Sequence, residues 1–197
     1  MTGAALKVCS GTAKGIVLKT VPGREVRPTS AKVRQAIFSA LSDRIAGSRV
    51  LDLYAGTGAM GIEALSRGAA EAVFVEVSPK CLRAIKENLE RSRLSDRATV
   101  LGGDVLRVLR RFGRERQKFD VVIADPPYCK AKNDVGRQRS LAEKTLKVLM
   151  ESDILRPNSV VILEHSEMEG DWEAPAGLKA LPVRKYGGTS VSIFTPT

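Results

Sequence analysis

The tetrapeptide Asp125-Pro126-Pro127-Tyr128 is the most chemically specific string in this 197-residue chain. It follows the apolar run Val121-Val122-Ile123-Ala124. Two consecutive prolines restrict the backbone and remove two amide donors, so the carbonyls here are held without competing local donors. The acceptor-only carboxylate of Asp125, the carbonyl of Pro126 and the ring of Tyr128 form a receptor for a planar base that carries an exocyclic amino group. The amine hydrogens would point at Asp125 Oδ and the Pro126 carbonyl. Tyr128 would stack on the ring, a contact worth about 1–3 kcal/mol. The plain alternative is a proline-stiffened turn.

The second chemical element is Asp52-Leu53-Tyr54-Ala55-Gly56-Thr57-Gly58-Ala59-Met60-Gly61, in which Gly56, Gly58 and Gly61 satisfy GxGxxG. Glycine permits a tight turn and close ligand approach, and a following helix offers free amides. Alone, such a turn could serve a dinucleotide, S-adenosylmethionine, or neither. Glu76 stands twenty positions after Gly56, where an acid can accept ribose hydroxyls. Asp104 follows Gly102-Gly103, where it could hold an adenine edge, cap a helix, or do both.

Other chemistries find little support. One histidine, His165, offers no His-rich metal site and no basis for a Ser-His-Asp triad. Cys9, Cys81 and Cys129 are odd in number without CxxC spacing, which argues against a disulfide framework or a Cys-rich zinc site and fits a reducing compartment. No metal is expected. Cys129, His165 and Trp172 receive no catalytic role.

These groups need elements to position them. Hydrophobic residues make up 43% of the chain and charged residues 27%, enough apolar material for one ordinary domain. Val50–Leu53, Ala72–Val77, Thr99–Leu101, Asp120–Ala124 and Ser159–Leu163 read as buried strands. Met60–Arg67, Pro79–Ser92, Leu106–Phe112 and Ser140–Glu151 read as the helices between them, with Ser78 as an N-cap and Gly68 as a C′ glycine. This alternation predicts an α/β fold with a parallel sheet covered on both faces. Lys7–Ser10 and Ile16–Thr20 predict a small N-terminal hairpin, followed by one helix over Ala31–Ile45. Ala180–Lys185 and Val191–Thr195 predict a terminal antiparallel hairpin.

Net charge is +10, which favours a polyanionic partner. No apolar stretch approaches the roughly 20 residues that would span a bilayer. The first residues lack a signal-peptide core, so a cytoplasmic protein with no membrane partner is expected. Met1–Val50 holds Lys7, Lys14, Lys19, Arg24, Arg27, Lys32, Arg34, Arg44 and Arg49 against only Glu25 and Asp43, a one-sided charge suited to RNA phosphates. Lys130, Lys132, Arg137 and Arg139 follow Tyr128 closely enough to flank a target nucleotide. The basic residues of 80–118 read as solvated helix faces.

Together these residues resemble the SAM-dependent amino-group methyltransferases of nucleic acids. Arg27-Pro28-Thr29, Val33-Arg34, the glycine turn, Glu63–Ala69, Phe74-Val75-Glu76, Asp125–Tyr128 and Lys185-Tyr186-Gly187 are similar to one branch, the bacterial 16S rRNA guanine-N2 methyltransferase family (RsmD-type). The likeness covers nearly the whole chain. It implies a Rossmann-like class I fold, a seven-stranded, mostly parallel sheet with the last strand antiparallel, and a division into an N-terminal hairpin extension over 1–28 and a methyltransferase domain over 29–197. It implies S-adenosylmethionine held by Asp52, Tyr54, Gly56, Thr57, Gly58, Glu76, Asp104 and Asp125. Asp125, Pro126 and Tyr128 would be catalytic, and Arg27, Thr29, Arg34, Pro127, Tyr128 and Lys130 would contact substrate. The substrate would be one guanine of 16S rRNA, on the 30S subunit or an assembly intermediate, and the enzyme a monomer. Two departures, Gln35 where many relatives carry Glu and Ile16 where many carry a basic residue, both concern the N-terminal part. A DNA or RNA adenine-N6 methyltransferase is the alternative that the same tetrapeptide would suit. An NAD-dependent oxidoreductase would leave the tetrapeptide and the basic excess unexplained, and a non-enzymatic RNA-binding module would need no cofactor turn.

Overall fold

A computed structural model describes residues 5–21, 31–127, 141–166, 174–186 and 189–197. The five apolar runs become parallel strands: β1 (Arg49–Leu53), β2 (Glu71–Glu76), β3 (Ala98–Gly102), β4 (Phe119–Ala124) and β5 (Leu155–Ser166). Then come β6 (Leu178–Ala180), β7 (Arg184–Tyr186) and β8 (Thr189–Pro196), with β8 antiparallel to β5, β6 and β7. The spatial order is β3-β2-β1-β4-β5-β8-β6, with β7 also on β8. The order reverses between β1 and β4, and a doubly wound sheet binds ligands at the carboxyl ends of the strands at such a point.

The α/β Rossmann-like fold is the one expected, with a different strand count. The expected strand over 180–185 is two segments, β6 and β7, both paired with β8 and separated by Leu181-Pro182-Val183. Pro182 has no amide to donate, which interrupts the ladder at an edge where a proline is tolerated. Leu181 still donates its N–H to the Ile193 carbonyl at 2.8 Å. Taken as one interrupted strand, this edge restores the expected seven.

The helices are α1 (Ala31–Ala40), α2 (Ser42–Ile45), α3 (Ala59–Ser66), α4 (Pro79–Ser92), α5 (Val105–Arg114) and α6 (Leu141–Glu151). The single helix expected over 31–45 breaks at Leu41, whose φ of −109° and ψ of 11° leave the helical region. Asp43 then stands in the first turn of α2, where an acid suits the helix dipole. The stripe Val33, Ile37, Leu41 and Ile45 is buried even so. Ser78 caps α4, its Oγ 3.5 Å from the Cys81 amide, with Pro79 at the first helical position.

Alternating side chains divide the interior into two cores, one on each face of the sheet. Val50 and Ile123 join the core under α1, α3 and α4, whereas Leu51, Leu53, Val122 and Ala124 join the core under α5 and α6. The N-terminal hairpin is a minimal one. A single antiparallel bridge joins Lys7 and Val17, flanked by bonds from the Val8 amide to the Ile16 carbonyl (3.0 Å) and from the Leu18 amide to the Leu6 carbonyl (2.8 Å). Leu6, Val8, Ala13 and Leu18 are part of the first core. Among the described residues no helix is long and apolar enough to cross a membrane, and no group of three or more His, Cys, Asp or Glu gathers as a metal site.

Candidate active site at the carboxyl edge of the sheet

The chain leaves β1 through three left-handed residues: Tyr54 at φ 58°, Gly56 at 55° and Gly58 at 79°. Glycine adopts this region without strain; Tyr54 does not, and it is fastened. Its hydroxyl meets Thr145 Oγ1 of α6 at 2.7 Å. Burial pushes that hydroxyl up to about 12, against the Thr145 hydrogen bond and with a further push from the Asp104 carboxylate, so it stays neutral. The Gly58 amide closes the turn on the Ala55 carbonyl at 2.7 Å. The N-cap residue of α3, Gly58, offers no side chain to the first-turn amides, the end of a helix where a polar ligand group can bind. Gly61 serves packing: a Cβ there would fall 2.3 Å from Phe74 Cε1.

Two carboxylates brace this turn. Asp52 is buried beneath it and takes the Gly61 amide on Oδ2 at 2.8 Å. Burial raises its carboxyl to about 7, offset in part by the Gly61 hydrogen bond and assisted by the nearby Glu76 charge. The unfolded chain releases this proton near 3.8 and the folded chain near 7. Between those values the folded state binds more protons, so the Asp52 contribution to stability falls as pH rises through that window. Asp52→Asn keeps an acceptor for Gly61 and cannot titrate. Urea midpoints at pH 5 and pH 8 are therefore expected to differ less in that variant than in the parent, and an unchanged difference would refute the assignment. Glu76, at the end of β2, takes the Gly56 amide on Oε2 and the Val77 and Ser78 amides on Oε1, all at 2.8 Å. It ties the first turn to the second. Asp104 is the cap of α5, accepting the Arg107 amide at 2.9 Å.

Asp125 follows β4 and donates its amide toward the Leu53 carbonyl of β1 at 3.4 Å. Its side chain is half-buried, Pro126 is buried and Pro127 is exposed. Burial holds the Asp125 carboxyl well above the usual range, reinforced by the charges of Glu164 and then Asp52. Glu164 is the functional candidate that sequence reasoning missed. Ala124 pairs with Leu163 in parallel register, so Asp125, just past β4, stands beside Glu164, still within β5. The available signal was an acid directly after a buried apolar run, the feature that marked Glu76 and Asp125. Asp52, Glu76 and Asp125 thus stand at or just past the carboxyl ends of β1, β2 and β4, and Glu164 lies within β5, in a chain whose net charge is +10.

Not every expected contact lies at this edge. Arg34, expected to touch substrate, is fully buried. Its Nη2 donates to the Lys7 carbonyl at 2.5 Å and to Cys9 Sγ at 3.3 Å, and its Nε lies 3.6 Å from Glu63 Oε2. Glu63 also receives Arg67 Nε and the Cys9 amide, each at 2.7 Å. Ser66 Oγ donates to the Ser10 carbonyl at 2.6 Å and accepts the Ala13 amide at 2.9 Å. The string Glu63–Ala69 is therefore the socket of the N-terminal segment, and Arg34 is a structural cation with no surface to offer RNA. Asn88, also missed, takes the Lys19 amide at 2.6 Å and donates to the carbonyls of Lys19 (3.1 Å) and Thr57 (2.9 Å), joining that segment to the glycine turn. No local signal marks it. His165 is buried against Ser192 Oγ at 2.9 Å, a structural placement. Arg27, Thr29, Tyr128, Cys129, Lys130 and Trp172 lie outside the described residues, as does the basic segment after Tyr128.

Known proteins resemble the chain over nearly its whole length. The family described as "Conserved hypothetical protein 95" matches residues 6–195. The chain is 33% identical to "Putative rRNA methyltransferase YlbH" of Bacillus subtilis (strain 168), covering 96% of this chain and 98% of that protein. It is 31% identical to "Ribosomal RNA small subunit methyltransferase D" of Haemophilus influenzae, covering 81% and 78%. In three dimensions it is similar to "Putative methyltransferase yhhF from Escherichia coli", with a TM-score of 0.81 and 23% identity over 98% of both chains, a likeness of fold. With the N-terminal socket, the glycine turn and Asp125-Pro126 all inside the matched span, the chain belongs to the conserved hypothetical protein 95 family, the RsmD-type class I methyltransferases.

Proposed function

We propose that this protein transfers the methyl group of S-adenosylmethionine to the exocyclic N2 amine of one guanine in 16S rRNA, in the cytoplasm, on the 30S subunit or an assembly intermediate. The observation that carries this reading is the Asp125–Glu164 pair beside the glycine turn. Guanine presents two neighbouring donor groups, N1–H and the N2 amine. Adenine presents its amine beside an N1 acceptor. When both are ionised, two adjacent carboxylates accept only, which matches the first pattern and repels the second. The names of the curated relatives support an RNA of the small subunit.

The residues present fit the cofactor. Its sulfonium is a cation, and the carboxylates of Asp52, Glu76, Asp125 and Glu164 converge at this edge. Tyr54, Gly56, Thr57 and Gly58, braced by Asp52, would hold the amino-acid part, Glu76 the ribose and Asp104 the adenine. When bound, the cofactor supplies an electrophilic methyl group, so the protein need only position and stabilise. Asp125 Oδ and the Pro126 carbonyl hold the two amine hydrogens and aim the nitrogen lone pair. Asp125 stabilises positive charge building on N2 and accepts the proton that the amine loses. Glu164 accepts N1–H. Tyr128 stacks on the base, and Arg27, Thr29, Pro127 and Lys130 hold the flanking nucleotides. The extension over 1–28 contributes phosphate contacts.

The test is transfer of labelled methyl to unmodified 30S particles, naked 16S rRNA and duplex DNA. Label recovered as N2-methylguanine on 30S or rRNA is expected, and label on DNA adenine would overturn the reading. Glu164→Gln is expected to cost about 1.5–3 kcal/mol in kcat/KM for the guanine substrate, the worth of one hydrogen bond to a charged group. Unchanged kcat/KM would remove the argument for guanine.

A further inference from the structure

Helix α5 carries the sequence Val-Leu-Arg-Val-Leu-Arg-Arg-Phe-Gly-Arg, with four arginines and no acid. Val105, Val108, Leu109 and Phe112 are buried in the second core, which fixes the rotation of the helix. Arg107, Arg110, Arg111 and Arg114 are all exposed, and their spacing of i, i+3, i+4 and i+7 places them in one stripe. Four like-charge pairs at spacings of three and four follow, each of which opposes helix formation. Arg107 also stands in the first turn, where the helix dipole disfavours a cation. Among the described residues only Arg111 of the four forms a side-chain ion pair, with Glu115 Oε1 at 3.5 Å.

Helix α4 shows what a merely solvated face looks like. There Arg83, Lys86 and Arg91 are interleaved with Glu87 and Glu90, and Glu87 pairs with Lys19 at 2.7 Å. The α5 stripe has no such interleaving. It begins one turn beyond Asp104, at the carboxyl edge of β3, and lies on the face of the sheet opposite the N-terminal segment.

We infer that this arginine stripe is a second docking surface for the rRNA phosphate backbone, on the face of the sheet away from the N-terminal segment. The inference rests on the rRNA reading above. Arginine forks match phosphate oxygens bidentately, and the stripe's charge, unfavourable for the free helix, is relieved by a polyanion. A substrate held at both faces meets the reaction edge between them, which favours a structured RNA over a short single strand.

The experiment compares three full-length variants. The first changes Arg107, Arg110, Arg111 and Arg114 to Gln, the second changes the same four to Lys, and the third changes Arg83, Lys86 and Arg91 of α4 and the following Arg93 to Gln. Circular dichroism checks that each is folded. Binding to 16S rRNA is read by anisotropy from 50 to 200 mM salt, and methyl transfer to 30S by steady-state kinetics. The α5 Gln variant is expected to make log affinity fall less steeply with log salt, its slope smaller in magnitude by about 2.8–3.6 for four lost phosphate contacts at about 0.7–0.9 each. It is expected to raise KM for RNA and leave kcat unchanged. The Lys variant is expected to keep the slope, and the α4 variant to change it by less than one contact. Equal slopes for the α5 and α4 Gln variants, with methylation intact, would overturn the stripe alone. A parent protein that binds rRNA but transfers no methyl group would overturn the methylation reading and leave the slope comparison standing. A parent that binds no RNA would overturn both.

Discussion

Asp125→Ala is expected to lower the rate of methyl transfer by about 10²–10³ while S-adenosylmethionine still binds, the size of effect seen when one preorganised polar partner of a reacting centre is lost. The two functions separate because different elements carry them. The glycine turn is held by Glu76 and Asp52 through the amides of Gly56 and Gly61, and neither bond involves Asp125. Single-turnover kinetics beside calorimetric binding of the cofactor checks both halves, and near-normal turnover would sink the assignment. A pH profile adds an independent readout. Asp125 must be ionised to accept from the amine and to take its proton. Burial, then Glu164 and Asp52, hold its carboxyl well above the usual range. Activity is therefore expected to fall on acidification at a pH above that of an ordinary carboxylate. Asp125→Asn, which keeps an acceptor and cannot titrate there, is expected to be slow with a flattened acid limb.

Glu63→Ala is expected to cost about 3–5 kcal/mol of stability, the cost of removing one partner of a buried ion pair and leaving the other charge uncompensated. Glu63 and Arg34 are both fully buried, and the same carboxylate holds Arg67 and the Cys9 amide. In a domain of this size each kcal/mol shifts Tm by about 2–4 °C, so a fall of roughly 6–20 °C should be seen. Amide exchange resolves where the damage lies. The amides of Val8, Thr12, Ala13 and Leu18, bonded within the N-terminal segment or to Ser66, should lose protection ahead of the sheet. A loss below about 1 kcal/mol would mean that the socket is not the anchor of this segment.

The features legible in the chain are those whose causes act over a few residues. Apolar runs bounded by glycine, proline and acids marked β1 to β5, because a strand buried on both faces needs continuous apolar side chains. The glycine turn showed itself because Gly56 and Gly58 occupy backbone that glycine adopts without strain. Asp104 was open between cap and ligand, and its bond to the Arg107 amide is the cap. The failures have another cause. Arg34 counted as one basic residue in a basic segment, yet it is buried on Glu63, 29 positions away, because α1 packs the N-terminal segment against α3. Leu41 ended a helix that its apolar stripe would have continued, and Pro182 interrupted an edge strand, both at positions where a single residue outweighed the local pattern.

The sequence by itself determined the alternation of strands and helices, the glycine turn and the proline-stiffened turn after β4, and the net positive charge. Each depends on the type and spacing of neighbouring residues. Only the tertiary structure decided which distant groups meet. Strand order brought Asp125 beside Glu164 and placed both next to the turn after β1, and helix packing brought Asn88 between Lys19 and Thr57. Burial decided the rest. Whether a carboxylate keeps its proton or an arginine reaches solvent depends on what surrounds it, and those surroundings come from segments far away along the chain.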